Sequence, residues 1–172
     1  TYPGAPDTLD ASGSDTNCDG VDGTLADTIL VSASAGADTV GCGLVEATPC
    51  QTIPQGIARA VTASRHSVLV TSGPSYGGFG LSSVTDLTVR GGYGTDFSTR
   101  TGTTTSTSGV TVSSSTGVTL RDLTIVGPGG TNTTAVVITA STVTINGVTA
   151  SSGTASGTVP EGADGTRGTR SA

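Results

Sequence analysis

The sequence predicts an all-β fold, a β-solenoid begun by one short capping α-helix. Three observations carry that expectation. Short bursts of Val, Ile, Leu and Thr, bounded by Gly, Ser, Asn or Pro, recur along most of the chain. Two of these stretches can be laid over one another as an imperfect internal repeat. One segment alone has helical periodicity. The composition agrees, since 33% of the 172 residues are apolar, enough to fill a slender core but not a wide one.

Residues 1–27 form a leader rich in Asp and Gly, in which residues 15–23 read DTNCDGVDG. Residues 28–66 then hold the first strand, a disulfide loop and the helix. The strand is expected in TILVSAS (28–34). Cys42 and Cys50 flank GLVEATP, a short loop with a proline, and are expected to form a local bridge. Cys18 is left over, either as a buried thiol or as a hook for a partner chain. The helix follows in TIPQGIARAVTASR, where Thr52 and Gln55 have capping-box spacing and Pro54 falls in the first turn. Ile53, Ile57, Ala60 and Val61 share a face, and Ile53, Ile57 and Val61 are expected to plug the first coil. Gly56 weakens this helix, which therefore depends on packing.

Residues 67–152 read as coils. Strands are expected in SVLVTS (67–72), DLTVRGG (86–92), SGVTVSSS (108–115), STGVTLRDLTIVG (115–127), TAVVITAS (134–141) and STVTINGVTAS (141–151). Residues 109–125 align with 135–150 through one gap, so that Thr119-Leu120 falls on Thr144-Ile145 and Leu123-Thr124-Ile125 on Val148-Thr149-Ala150. A third piece, Asp86-Leu87-Thr88-Val89, matches Asp122-Leu123-Thr124-Ile125. A repeat of about 20–25 residues made of short strands is one solenoid turn. Val110, Val112, Leu120, Leu123, Ile125, Ile138, Ile145 and Val148 are its inward residues, each stacked on the next turn. An antiparallel sandwich is the competing architecture, but clear two-residue hairpin turns are missing. Residues 153–172 read as a Gly-rich tail or spacer, whose three Gly-X-Y triplets are too few for a collagen trimer.

The succession DTNCDGVDG, TILVSAS, GADTVGCGLVEATPCQTIPQGIARAV, VLVTSGPSYGG and LTVRGGYGTDFSTRT resembles the opening of bacterial secreted right-handed parallel β-helix proteins of the pectin-lyase-like superfamily. The resemblance covers about residues 15–150. It implies a right-handed parallel β-helix whose first coil is capped by the helix, in a secreted or surface protein.

Charge narrows the function. The net charge is −6 and all seven basic residues are arginines, so no nucleic-acid partner is expected. No apolar run approaches the roughly 18 residues of a membrane span. The first residues, TYPGAPDTLDASG, do not read as a signal peptide, although a chain already processed looks the same. A lysine-free, Thr-rich chain with cysteines suits an extracellular or cell-surface setting. The expected role is a non-enzymatic structural protein that partners itself, head to tail or as part of a larger β-helix, because no cap is visible at the far end. The alternative is a polysaccharide-binding or polysaccharide-lyase-like protein acting on extracellular glycans.

The site candidates follow from these readings. In DTNCDGVDG, Asp15, Asn17 and Asp19 have the 1-3-5 spacing of calcium ligands, Gly20 permits the turn, and the Val21 carbonyl falls at position 7. Asp22 or Asp27 would complete the shell, since position 12 is Ala26 rather than Glu. Calcium would then be a structural cofactor. The other reading is a hydrogen-bonded acidic turn that orients Cys18. For the lyase alternative, Asp86 and Asp122, taken as equivalent repeat positions, could line one face with Arg90 and Arg121; otherwise they cap turns and pair between rungs. His66 is expected to satisfy the last helical carbonyls. Tyr76, Phe79 and Tyr93 offer either a sugar-stacking platform or local packing. The Thr spacing, TGTTTSTS then TVT, is too irregular for an ordered ice-binding array. No catalytic triad is apparent, and catalytic residues are expected to be none.

Overall fold

A computed structural model describes residues 2–10, 13, 15–130 and 133–153. Strand β1 (Thr28–Val31) is followed by helix α1 (Ile53–Ala63) and then by ten strands. These are β2 (Ser67–Thr71), β3 (Phe79–Ser82), β4 (Thr88–Tyr93), β5 (Thr104–Thr107) and β6 (Val110–Ser113), then β7 (Val118–Arg121), β8 (Leu123–Val126), β9 (Val136–Thr139), β10 (Val143–Asn146) and β11 (Thr149–Ser151). They form three sheets, ordered β1-β2-β4-β7-β10, β5-β8-β11 and β3-β6-β9. All pairings between these strands are parallel, which removes the antiparallel sandwich. From β4 onward the chain visits the three sheets in rotation.

The register matches the internal repeat. Thr119 and Leu120 face Thr144 and Ile145, and Thr124 and Ile125 face Thr149 and Ala150. Val110 faces Val136, one residue further on, where the alignment needs its gap. The third match fails, because Thr88 and Val89 pair with Thr119 and Leu120. Asp86 therefore lies at the corner entering β4, whereas Asp122 lies at the corner leaving β7, and the two are not equivalent. Both sit in the left-handed region, at φ 50° and 57°. Asp122 breaks one predicted burst into β7 and β8.

Stacked rungs build the main core. Ile29, Val68, Val89, Leu120 and Ile145 form one register column across the five-stranded sheet. The first four are fully buried and Ile145 is 48% exposed. Val110, Val112, Leu120, Leu123 and Ile125 are buried as expected, but Ile138 is also exposed because it lies in the last rung, and Val148 is only partly covered. At about 1.5–3 kcal/mol for each fully buried aliphatic side chain, continuing columns are the main source of stability. Threonines that look irregular in sequence are regular in register, as Thr88-Thr119-Thr144 and Thr105-Thr124-Thr149, so spacing alone misjudges their order.

Helix α1 packs on β1, β2 and β3. The Thr52 hydroxyl accepts from Gln55 N, as capping requires, but Thr52 N donates to Asp38 Oδ1 rather than to the Gln55 side chain. Ile53, Gly56, Ile57 and Ala60 form the buried face. Val61 is 57% exposed and plugs nothing. At about 100° per residue it points well off the arc that holds the other four. The loop that Cys42 and Cys50 close by their disulfide lies along the outer edge of β1. Leu30 N donates to Gly43 O, Cys50 N to Leu30 O, and Ser32 N to Cys50 O.

The leader is packed rather than trailing. Leu30 and Leu69 point away from the main core, and Val21, Tyr93 and Phe97 close over them, with Leu9 and Leu25 at the margin. The Gly-X-Y triplets and most of the predicted tail lie outside the described residues.

Candidate functional site

The acidic turn is the first candidate. Asp15 Oδ1 and Oδ2 accept from Asp19 N and Gly20 N, while Asp19 Oδ1 and Oδ2 accept from Val21 N and Leu25 N. Asn17 Oδ1 accepts from Asp19 N, and its amide donates to Asp19 Oδ2 and Gly23 O. These side chains satisfy the backbone of their own turn. Asp22, proposed to complete the shell after Asp15, Asn17, Asp19 and the Val21 carbonyl, is aimed elsewhere, into a wholly buried pair with Arg90. Glu46, from the disulfide loop, is a neighbour that sequence spacing could not place here. Burial, then the charges of Asp96, Asp15 and Asp19, push its carboxyl up. No group of three or more His, Cys, Asp or Glu side chains is arranged to hold a metal ion among the described residues. Cys18 is exposed, which corrects the buried-thiol reading, and is held at φ 59°.

The attachment of the leader is the second candidate. Arg90 Nη1 donates to Asp22 Oδ2 at 2.8 Å and Arg90 Nε to Asp122 Oδ2 at 2.9 Å; the Tyr93 hydroxyl also donates to Asp22 Oδ2. Arg90 and Asp22 have no exposed side-chain surface. Burial raises the Asp22 carboxyl above its ordinary value, although the Tyr93 hydrogen bond and the Arg90 charge oppose the shift. Tyr93 is also raised, by burial and then by its bond to Asp22. Arg90, Arg121 and Asp122 do come together, but Asp86 lies at a different corner, and an arginine so enclosed as Arg90 cannot serve as an exposed base. Asp122 instead joins ion pairs between rungs.

Other candidates fall away. Tyr76, Phe79 and Tyr93 are all buried, so they offer no stacking platform. The Tyr76 hydroxyl bonds with Thr71 Oγ1 and accepts from Ala33 N. His66 does not close the helix, because Ser64 N and Arg65 N donate to its last carbonyls. Its Nδ1 lies 2.7 Å from Asp27 Oδ1, and its N–H donates to Asp27 O. A cavity of about 300 Å³ between the end of α1 and the β3–β4 turn is lined in part by Val61, His66, Ser83 and Leu87. Among the described residues no hydroxyl hydrogen-bonds to the imidazole, so no nucleophile–base pair forms there.

The remaining candidate is the last rung. Strands β9, β10 and β11 each pair with one neighbour only and end their three sheets together. Their outer edges are bare among the described residues. Val137, Ile138 and Ile145 are 44%, 43% and 48% exposed there, and Val136, Val143 and Val148 are only partly covered. An edge of this kind is a template for another strand. The opposite edge differs, since Gly43 and Cys50 already bond to β1. A second copy that laid its β1 on β10 would have to displace the disulfide loop.

Compared with family models, curated proteins and solved structures, the chain matches none.

Proposed function

We propose that the three parallel sheets are the faces of one right-handed parallel β-helix of the pectin-lyase-like kind. The chain would serve as a non-enzymatic structural segment of a secreted or cell-surface protein, and would self-associate through its last rung. The observation that carries this reading is the contrast between the two ends. One is covered by α1 and the disulfide loop, while at the other, among the described residues, three sheets end together over exposed Ile138 and Ile145. Exposed apolar side chains beside unpaired strand edges favour strand addition. With the β1 edge already bonded, the surface complementary to one bare end is the bare end of a second copy, an isologous contact. The Cys42–Cys50 disulfide supports an oxidising compartment, and no helix among the described residues is long and apolar enough to cross a membrane. A structural calcium ion at Asp15, Asn17 and Asp19 would have to displace the hydrogen bonds these residues already make, so the hydrogen-bonded turn is the favoured reading.

The test is sedimentation over a range of concentrations, with Ile145→Lys as the variant. The chain of 16.6 kDa should associate as concentration rises. Ile145→Lys should stay monomeric with an unchanged far-ultraviolet spectrum, because a charge in the last rung touches solvent in the monomer and an apolar surface in the complex. A parent chain that is monomeric at every concentration would sink the self-association.

A further inference from the structure

The sequence has one Asn-Gly step, Asn146-Gly147, and it forms the corner that leaves β10 in the last rung. Asn146 is the register partner of Arg121, so Gly147 stands where Asp122 stands one rung earlier, and both are left-handed, at φ 63° and 57°. A Cβ at 147 would lie 2.5 Å from Asp122 Oδ1, so this corner takes glycine and nothing crowds the nitrogen that follows Asn146. The two corners differ in their hydrogen bonds. Asp122 N donates to Asn146 O at 3.0 Å, whereas among the described residues no acceptor meets Gly147 N. Asn146 and Gly147 are both exposed. The carbonyl carbon of an asparagine side chain is an electrophile within reach of the next backbone nitrogen, provided that nitrogen is unbonded and the local chain can turn. A strand with a single neighbour opens more readily than an inner one, which supplies the turn. Comparable steps elsewhere are held. Gly20 N donates to Asp15 Oδ2 at 2.9 Å and Gly23 N to Asp7 Oδ2 at 3.2 Å, so the nitrogens of Asp19-Gly20 and Asp22-Gly23 are occupied. Asn17 is buried, and its amide donates to Asp19 Oδ2 and Gly23 O.

We propose that Asn146 is a self-modification site. Gly147 N loses its proton to solvent and attacks Asn146 Cγ. The new C–N bond closes a five-membered imide while the side-chain nitrogen takes up a proton and leaves as ammonia. Water then opens the imide at one carbonyl or the other, giving aspartate or isoaspartate at 146 with nothing oxidised or reduced. Either product puts a carboxylate on the rung beside Arg121. Isoaspartate also routes the main chain through one extra carbon, which throws the residues after it out of ladder register. The last rung would then lose its capacity to accept a strand as the protein ages. That consequence rests on the self-association proposed above, whereas the site itself does not.

The experiment holds the chain at mildly alkaline pH, folded and in denaturant, and follows it by charge-separating chromatography and peptide mass mapping. The expected result is an acidic species that maps to 146 as a mixture of aspartate and isoaspartate. It should accumulate faster as pH rises, because Gly147 N must lose its proton, and it should be lost in Asn146→Gln, whose side chain closes a larger ring. The informative quantity at each step is its rate in the folded chain relative to its rate in denaturant. That ratio should lie near one at 146 and far below one at Asp19 and Asp22, whose following nitrogens are bonded. A ratio at 146 as low as those two, or an Asn146 that stays intact in the folded chain, would overturn the site. Mapping of the parent chain decides the matter even where Asn146→Gln fails to fold. A second copy seated on the last rung would cover Gly147 N, so modification should slow as concentration rises; equal rates at every concentration would support the site and tell against the self-association.

Discussion

Arg90 ties the leader to the sheet, because its guanidinium bonds to both Asp22 of the leader and Asp122 of the β7–β8 corner. Replacing it by leucine would leave Asp22 as a buried carboxylate without its cation, a change that costs about 3–5 kcal/mol in comparable sites. Asp22→Asn should cost less, since Arg90 keeps Asp122, and chemical denaturation of the two variants compares them directly. The same pair predicts a pH effect. The folded-state pKa of Asp22 is raised above 3.8, so its proton is held more tightly in the folded chain. The stability it contributes is complete below that ordinary value and is lost as pH rises through the raised one. Asp22→Asn should flatten this slope. Asp19 makes a separate case, since its carboxylate caps two backbone N–H groups. Asp19→Ala should cost about 1–2 kcal/mol with or without calcium. A calcium-dependent rise in Tm that Asp19→Ala abolishes would restore the calcium loop.

At the scale of elements, Gly56 reverses a propensity rule. Alanine there would gain about 1 kcal/mol of helix propensity. A Cβ at 56 would, however, collide with Val31 Cγ2 and press on Val68 Cγ1 at 3.3 Å. Gly56→Ala should therefore lower stability by about 1–3 kcal/mol, read as a fall in Tm. An increase would mean that α1 rides loosely on β1 and β2. The helix was legible because Thr52, Pro54 and the apolar face agree, while the misreading of Val61 came from taking too wide a face. Strand β5 was not legible. Its inward residues are Thr104 and Ser106, both fully buried, and a pattern of apolar bursts passes over such a strand. Thr104 Oγ1 bonds to Gly92 N and to the Val70 and Thr71 carbonyls, which is how a polar residue is accommodated there. Strand β3 was hidden for another reason: its inward residues Phe79 and Leu81 are apolar, but the outward Gly80 between them breaks up the burst.

For the whole molecule, the repeat was the most readable feature, since parallel stacking puts equivalent residues in register and leaves that register in the sequence. The leader was the least readable. Val21 and Asp22 fall in a polar, Gly-rich segment with no periodicity, and nothing local reveals that one faces Leu30 and Leu69 while the other meets an arginine 68 residues away. The same blindness explains Glu46 and Asp122, whose neighbours are set by how rungs align rather than by chain distance. The unequal ends follow from both scales. Local chemistry at 42–50 protects β1, and among the described residues nothing further pairs with β9 or β10, so Ile138 and Ile145 are exposed.

Each rung touches only the rungs on either side, as β7 does with β4 and β10. Thr119 faces Thr144, so copying the 25 residues between them would add a strand to every sheet and leave α1, the disulfide and the leader dock untouched. Such a molecule can grow by tandem duplication near its later end, and its length is the property most easily changed without unpicking what already folds.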